Sequence, residues 1–233
     1  MTVPFLHPKV IALLERPQIV QRTPDWYEAR RTLLTASDAA SVLNIKPFAS
    51  YKGNPRDECM KKKLENKPFS NIFVRHGQAY EDEARDLMCA ALGESVIEFG
   101  LLRHPSHSWL GASPDGVTES GRCVEIKCPL RRVIESGQVP HHYWPQIQVQ
   151  MEVCNLDQTI FVQYRPASIS KDKKSLLDIV VVERDRQWFA DNKPILHEFW
   201  KEYMHALRTY VPEPLPAPPK CLIVDNLYKT QVN

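Results

Sequence analysis

Ser113-Pro-Asp-Gly-Val-Thr-Glu-Ser-Gly-Arg-Cys-Val-Glu-Ile-Lys-Cys-Pro129 is the stretch on which the reading of this chain turns. Pro114-Asp-Gly116 is a turn signal, and Cys123–Lys127 is a short, apolar-rich run of strand type. Alternate residues of a strand share a face. Glu125 and Lys127 therefore point one way, and Ile126 points into the core on the other side. Asp115 falls at the end of the preceding strand, so a hairpin brings Asp115, Glu125 and Lys127 to one place. Two carboxylates beside one ammonium suit Mg²⁺ or Mn²⁺, which prefer hard oxygen ligands. The lysine can orient or help deprotonate a water and offset charge on an attacked phosphate, which is equipment for phosphodiester hydrolysis. Taken alone, the pattern also fits an exposed ion pair on an edge strand.

Working outward, Val96–Leu102 and Trp109–Ala112 are strand-like runs on the N-terminal side. Thr159–Tyr164 and Leu177–Val182 are strand-like runs on the other side. Thr23-Pro24 starts a helix, with Thr as N-cap and Pro at the first helical position. That helix carries Trp26, Ala29 and Leu33 inward. Thr35-Ala-Ser-Asp38 is a second start, with Asp38 in the position of a capping-box acid. Asn54-Pro55 opens a helix to about Asn66, and another runs from Gln78 to Leu92, stopped by Gly93. Tyr143–Val153 and Arg186–Leu207 complete the set, the last with Trp188, Phe189, Ile195, Leu196, Phe199, Trp200 and Met204 as its apolar face. The order predicts an α/β (α+β) single domain with a central mixed β-sheet flanked by helices. Residues 1–21 read as an N-terminal arm, 22–210 as the catalytic domain and 211–233 as a Pro-rich tail.

Composition narrows the function. The 233 residues are 43% hydrophobic and 25% charged, with a formal net charge of +2, as for an ordinary globular protein. A basic groove for nucleic acid is compatible with that total. Only 8 glycines stand against 19 prolines, and neither glycine-rich phosphate-loop motif occurs. No apolar run has the length that a membrane-spanning helix needs, and the N-terminus lacks a signal peptide's apolar region. The six cysteines sit at irregular positions. An intracellular protein with reduced thiols is expected.

Three further segments add weight to the Asp115–Glu125–Lys127 set. Glu81 lies on the helix side that meets the sheet, where a carboxylate is costly unless paired or bound to metal. Gln146 and Gln150 are one turn apart on a helix starting near Pro145, placed for a phosphate or a base edge. Arg30, Arg31 and Thr35-Ala-Ser37 gather guanidinium groups, a hydroxyl and a helix start, a combination that binds phosphate. Other features carry less. His104-x-x-His107 with Cys123 and Cys128 has irregular spacing for zinc. His141-His142 suit a surface loop or a DNA contact, and Lys61-Lys-Lys63 a solvated helix face or a DNA entrance.

In order and spacing these segments resemble the phage lambda exonuclease family, also called the YqaJ-type viral recombinase family, within the PD-(D/E)xK nuclease superfamily. The matching stretches are Trp26-x-x-x-Arg30 with Thr35-Ala-Ser37, Gly77-Gln-x-Tyr-Glu81-x-x-Ala84 and Ser113-Pro-Asp-Gly116. They continue with Glu125-Ile-Lys-Cys-Pro129, Gln146-x-Gln148 and Val181-Val-Glu-Arg-Asp185, so the likeness covers roughly residues 22–206. The resemblance implies a restriction-endonuclease-like core and Mg²⁺-dependent 5′-to-3′ digestion of one strand of duplex DNA. It implies Asp115, Glu125, the carbonyl of Ile126 and Glu81 as metal ligands for two ions, with Mn²⁺ as a substitute, and Lys127 as the residue that positions the water. It implies Arg30, Ser37, Ser113 and Gln146 at the 5′-phosphate, with Gln150 and Arg31 as further candidate DNA contacts. A single-strand annealing protein as partner, a homotrimeric ring, and a viral or phage protein acting in a host cell also follow from the family. A structure- or sequence-specific endonuclease with the same core, or a silent DNA-end binding module, are the alternatives. Residues 44–75 and the Pro-rich tail depart from the family pattern.

Overall fold

The computed structural model describes residues 6–66 and 70–212. Its organising strand is β7 (Cys123–Lys127), which runs parallel to β8 (Gln158–Arg165), with Glu125 opposite Phe161 and Lys127 opposite Gln163. A parallel pair needs a crossover, and helix α6 (Trp144–Cys154) makes it. On the other side of β7 lies the antiparallel strand β6 (Gly116–Thr118). β3 (Val96–Ile97) and β9 (Leu176–Glu183) complete a five-stranded mixed sheet in the order β3-β6-β7-β8-β9.

Alternation along β7 decides which helix each residue meets. Val124 and Ile126 pack with Ile160, Val162 and Tyr164 against Ala84 and Met88 of helix α5 (Ile72–Leu92). Cys123 and Phe161 join the larger core, which takes in Ile147, Val149 and Met151 of α6. The same core holds Phe189, Leu196, Phe199 and Tyr203 of helix α7 (Arg186–Thr209). Glu125 and Lys127, on the α6 face, are thereby delivered to the edge where α5, α6 and the turn before β6 converge.

The α/β class expected from the sequence is present, but its β-structure forms two sheets rather than one. The second is four-stranded, β1-β4-β5-β2, from β1 (Gln18–Ile19), β2 (Leu34–Thr35), β4 (Leu101–Arg103) and β5 (Leu110–Ala112). The run read as one strand over 96–102 is divided between the sheets. Gly100 lies at the division, and a Cβ there would stand 2.2 Å from the Ile19 carbonyl oxygen, so the close approach to β1 requires glycine.

The described N-terminal residues, from 6 onward, pack on the body. Helix α1 (Pro8–Leu14) buries Val10 and Leu13, and β1 pairs antiparallel with β4. Helix α2 (Pro24–Arg31) starts as expected, with Thr23 Oγ1 accepting from the Trp26 N–H. The Thr35–Asp38 capping box is present, leading through a 3-10 turn into α3 (Ala39–Val42). Asn54 caps α4 (Pro55–Glu65), and Asn66 ends it in the left-handed conformation. α5 begins six residues before the expected start because Asn71 caps it on the Val74 N–H, while Gly77 lies inside the helix with open space around it. In α7, Ile195 is exposed rather than part of the apolar face. The Pro-rich stretch beyond residue 212 lies outside the described residues. No described helix is long and apolar enough to cross a membrane.

Candidate active site

Backbone pairing builds the centre of the site. The Asp115 N–H donates to the Val124 carbonyl at 3.1 Å, and Asp115 Oδ2 accepts from the Ile126 N–H at 2.8 Å. This pair of bonds fixes the aspartate beside the β7 residues. Glu125 is 1% exposed. Its Oε1 accepts from Gln146 Nε2 at 2.6 Å, its Oε2 from Gln150 Nε2 at 2.5 Å, and the Lys127 ammonium pairs with it directly. The two glutamines, one turn apart on α6, thus hold the two oxygens of one carboxylate. Gln150 is as buried as Glu125, whereas Gln146 is half-buried.

The electrostatics of the carboxylates differ. Burial raises the Asp115 pKa to about 8, helped by the nearby Glu125 and Glu81 and opposed by Lys127 and the Ile126 N–H. Lys127 shifts the other way. Burial lowers its pKa, but Glu125 and Asp115 outweigh burial and hold the ammonium well above its ordinary value. Its Nζ lies 5.1 Å from the centre of the Tyr143 ring. Glu81 lines the same cleft of about 770 Å³ as Asp115, Ile126 and Lys127. It is held by Arg22 at 2.8 Å and Arg85 at 3.5 Å.

A second cluster stands next to this centre. Arg30 donates to Ser37 Oγ at 3.1 Å and lies over the Trp26 ring at 4.3 Å. The Trp26 indole N–H donates to Ser113 Oγ at 3.0 Å. Arg30, Ser37 and Ser113 are therefore joined through Trp26. Ser37 and Gln146 line one cavity of about 720 Å³ with Lys61, Lys62, His142 and Tyr143. Arg31 and Arg30 line the adjoining cavity with Trp26, Lys62 and Lys63.

The YqaJ-like viral recombinase domain matches residues 25–157, more than half of the chain and the part that contains every residue of this constellation except Arg22. The chain belongs to that family. A mimivirus relative, an uncharacterized protein of Acanthamoeba polyphaga mimivirus, is 32% identical over 165 residues, 63% of this chain and 29% of that protein. A protein of African swine fever virus is 29% identical over 160 residues, 55% of this chain and 44% of that protein. The matched segment thus spans less than half of either viral relative. Among solved structures, the alkaline exonuclease LHK-Exo from Laribacter hongkongensis superposes with a TM-score of 0.65 at 27% identity, over 80% of this chain and 95% of that one. The same exonuclease in complex with dAMP gives 0.67 at 28%, with the same coverage. A phage-related exonuclease from Haemophilus somnus shares the fold at 14% identity and a TM-score of 0.55.

A divalent cation fits this member of the YqaJ-like family. Asp115 faces two other carboxylates, and its one hydrogen-bond donor is a backbone N–H. The cation near this acid, Lys127, is already paired with Glu125, so the two carboxylates share a single ammonium, and a bound cation would offset the remaining charge. Among the described residues no three of His, Cys, Asp and Glu converge closely enough to cage a metal with side chains alone. The fitting set is therefore two carboxylates, the Ile126 carbonyl and water, the sparse shell that Mg²⁺ accepts.

The zinc candidate dissolves in the structure. His104 Nδ1 accepts from the N–H groups of Ser106 and His107, and its Nε2 faces Glu152. Cys123 and Cys154 are buried in the same core, and the described cysteines are free and not disulfide-bonded. The basic triplet divides. Lys63 is committed to the Leu33 carbonyl at 2.8 Å and Asp38 at 3.1 Å, while Lys61 and Lys62 line the Ser37 cavity. Sequence reasoning missed Arg22, Arg132 and the linking role of Trp26 and Tyr143. The Trp26 spacing from Arg30 was visible, but its bond to Ser113 spans 87 residues.

Proposed function

We propose that this protein is a metal-dependent deoxyribonuclease that digests one strand of duplex DNA from a 5′-phosphorylated end, in the 5′-to-3′ direction, in the service of recombination or end repair. Gln146 carries this reading. Its amide binds the Glu125 carboxylate while its side chain lines the cavity of Ser37, Lys61 and Lys62, so one residue touches both the hydrolytic centre and a pocket suited to a phosphate. A nuclease acting anywhere along a strand has no need for such a pocket beside the cleaved bond. The fold shared with an alkaline exonuclease supports the same reading.

Asp115, Glu125 and the Ile126 carbonyl would hold Mg²⁺ or Mn²⁺, and Glu81 would serve a second ion at the edge of the cleft. When bound, the cation supplies Lewis-acid activation of water and offsets charge on the phosphate. Gln146 and Gln150 fix the orientation of both Glu125 oxygens, so the carboxylate does not need to reorganise during reaction. Lys127, tethered by Glu125, keeps its proton and directs it at the attacking water and the phosphate oxygens. Arg30 and Ser37 would grip the terminal phosphate, with Ser113 aligned by Trp26. A ring-shaped homotrimer and a single-strand annealing partner belong to this proposal as its biological setting.

The test incubates linear duplex DNA, with and without a 5′-phosphate, beside circular DNA in Mg²⁺. Loss of one strand from phosphorylated ends alone is expected. Cutting of the circle would replace the proposal with an endonuclease. Binding to ends without cleavage, in Mg²⁺ and in Mn²⁺, would replace it with a binding module.

A further inference from the structure

The Tyr143 ring gathers three basic groups. Lys127 Nζ lies 5.1 Å from its centre, the Arg132 guanidinium carbon 5.8 Å, and the His142 ring centre 4.1 Å. Lys127 is engaged by Glu125. The other two carry polar atoms that the protein leaves unmet. Arg132 Nη2 and His142 Nδ1 are both buried and have no hydrogen-bond partner. Arg132 donates through its other nitrogen to the Val133 carbonyl at 3.2 Å, and no carboxylate among the described residues pairs with it. Both residues line the catalytic cleft with Asp115 and Lys127, and His142 also lines the neighbouring cavity with Ser37 and Gln146.

We propose that Arg132 and His142 form a subsite for a phosphate oxygen of the strand being digested, at the wall shared by the two cavities. The inference rests on the nuclease reading above. A buried polar atom without a partner is costly, and these two line one cleft, where a single ligand would meet both. The ligand class follows from the surroundings. The unmet guanidinium edge demands an oxyanion, and its planar fork matches phosphate. A small free anion would meet Glu81 and Asp115 in the same cleft and be repelled. A phosphate carried on a polymer already held at the Ser37 pocket is delivered regardless. Burial first, and then the charges of His141, Arg132 and Lys127, lower the His142 pKa to about 4, so the ring meets the phosphate as a neutral donor.

The test places a single uncharged methylphosphonate at each of the first three linkages of a 5′-phosphorylated duplex. Binding to the full chain is measured in Ca²⁺, and digestion in Mg²⁺. One linkage is expected to weaken wild-type binding about tenfold when neutralised, the size of one charge-assisted hydrogen bond. Arg132→Ala and His142→Ala should each weaken binding of the unmodified duplex about tenfold and lose sensitivity to that linkage. Arg132→Lys and His142→Gln should recover part of the loss, which a folding defect would not produce. The subsite is overturned if no linkage is sensitive in the wild type, or if the sensitivity persists in both alanine variants. A wild type that digests phosphorylated ends while the variants bind normally overturns the subsite alone. A wild type that neither binds nor digests DNA removes the nuclease reading as well.

Discussion

Asp115 and Asp38 are both withdrawn from solvent, and the chain treats them in opposite ways. Asp38 accepts from the Thr35 backbone N–H at 2.9 Å and hydroxyl at 2.8 Å, and pairs with Lys63 at 3.1 Å. Burial alone would raise its pKa, but Lys63, Arg30 and the Thr35 bonds overcome that and bring it to about 2. For Asp115, burial and two carboxylate neighbours outweigh Lys127 and one backbone donor, and its pKa rises to about 8. The first aspartate is satisfied by its own chain and staples the start of a helix. The second shares a single ammonium, that of Lys127, with Glu125, the imbalance that suits the cation proposed above.

Removing each acid should separate the two roles. Asp115→Asn should reduce cleavage by about 10³-fold, the scale of losing a group that organises transition-state charge. The same change should raise metal-free stability by on the order of 2 kcal/mol in urea unfolding, because it removes buried repulsion. A variant that loses stability would break the contrast. Asp38→Ala should do the reverse, costing about 3 kcal/mol in urea unfolding because Lys63 is left buried without its partner. Acid titration sharpens the point. The folded-state pKa of Asp38 lies below the unfolded one, so its contribution is fully present above about pH 4. It should be lost as pH falls toward 2, amounting to about 2 kcal/mol in the pH dependence of unfolding. A flat profile over that window would refute it. The smallest effect belongs to the bridge between the two regions. Trp26→Phe removes the indole donor to Ser113 and should cost about 1 kcal/mol in the preference for a 5′-phosphate, read as the ratio of kcat/KM for the two kinds of end. An unchanged ratio would detach Trp26 from the end pocket.

Local signals in the sequence were legible because their causes are local. Thr23, Asn54 and the Thr35–Asp38 box act within three residues, and helix starts appear where they were read. The shared face of Glu125 and Lys127 follows from strand alternation. Sheet membership has no such signature. Alternation looks the same in either sheet, so the break at Gly100 and the strand Gly116–Thr118, only three residues long, were invisible. The bonds to Glu125 span 21 and 25 residues, so the spacing of Gln146 and Gln150 shows them as a pair on one helix face but not the carboxylate they share. Lys61-Lys-Lys63 looked uniform in charge, yet the helix turns the third lysine inward to Asp38.

The edge strand at Gln18–Ile19 has a consequence beyond closing its sheet. Three residues on, Arg22 adopts a left-handed backbone conformation and reaches Glu81. The seating of Ile19 against Gly100 is therefore a hinge pin for an arm that ends on a carboxylate of the Asp115 cleft. A bulky side chain at position 100 or a fusion that pries up the first twenty residues would release Glu81 from one of its two guanidinium neighbours. Damage done at a distant sheet edge would then be felt at Glu81, the residue proposed for the second ion.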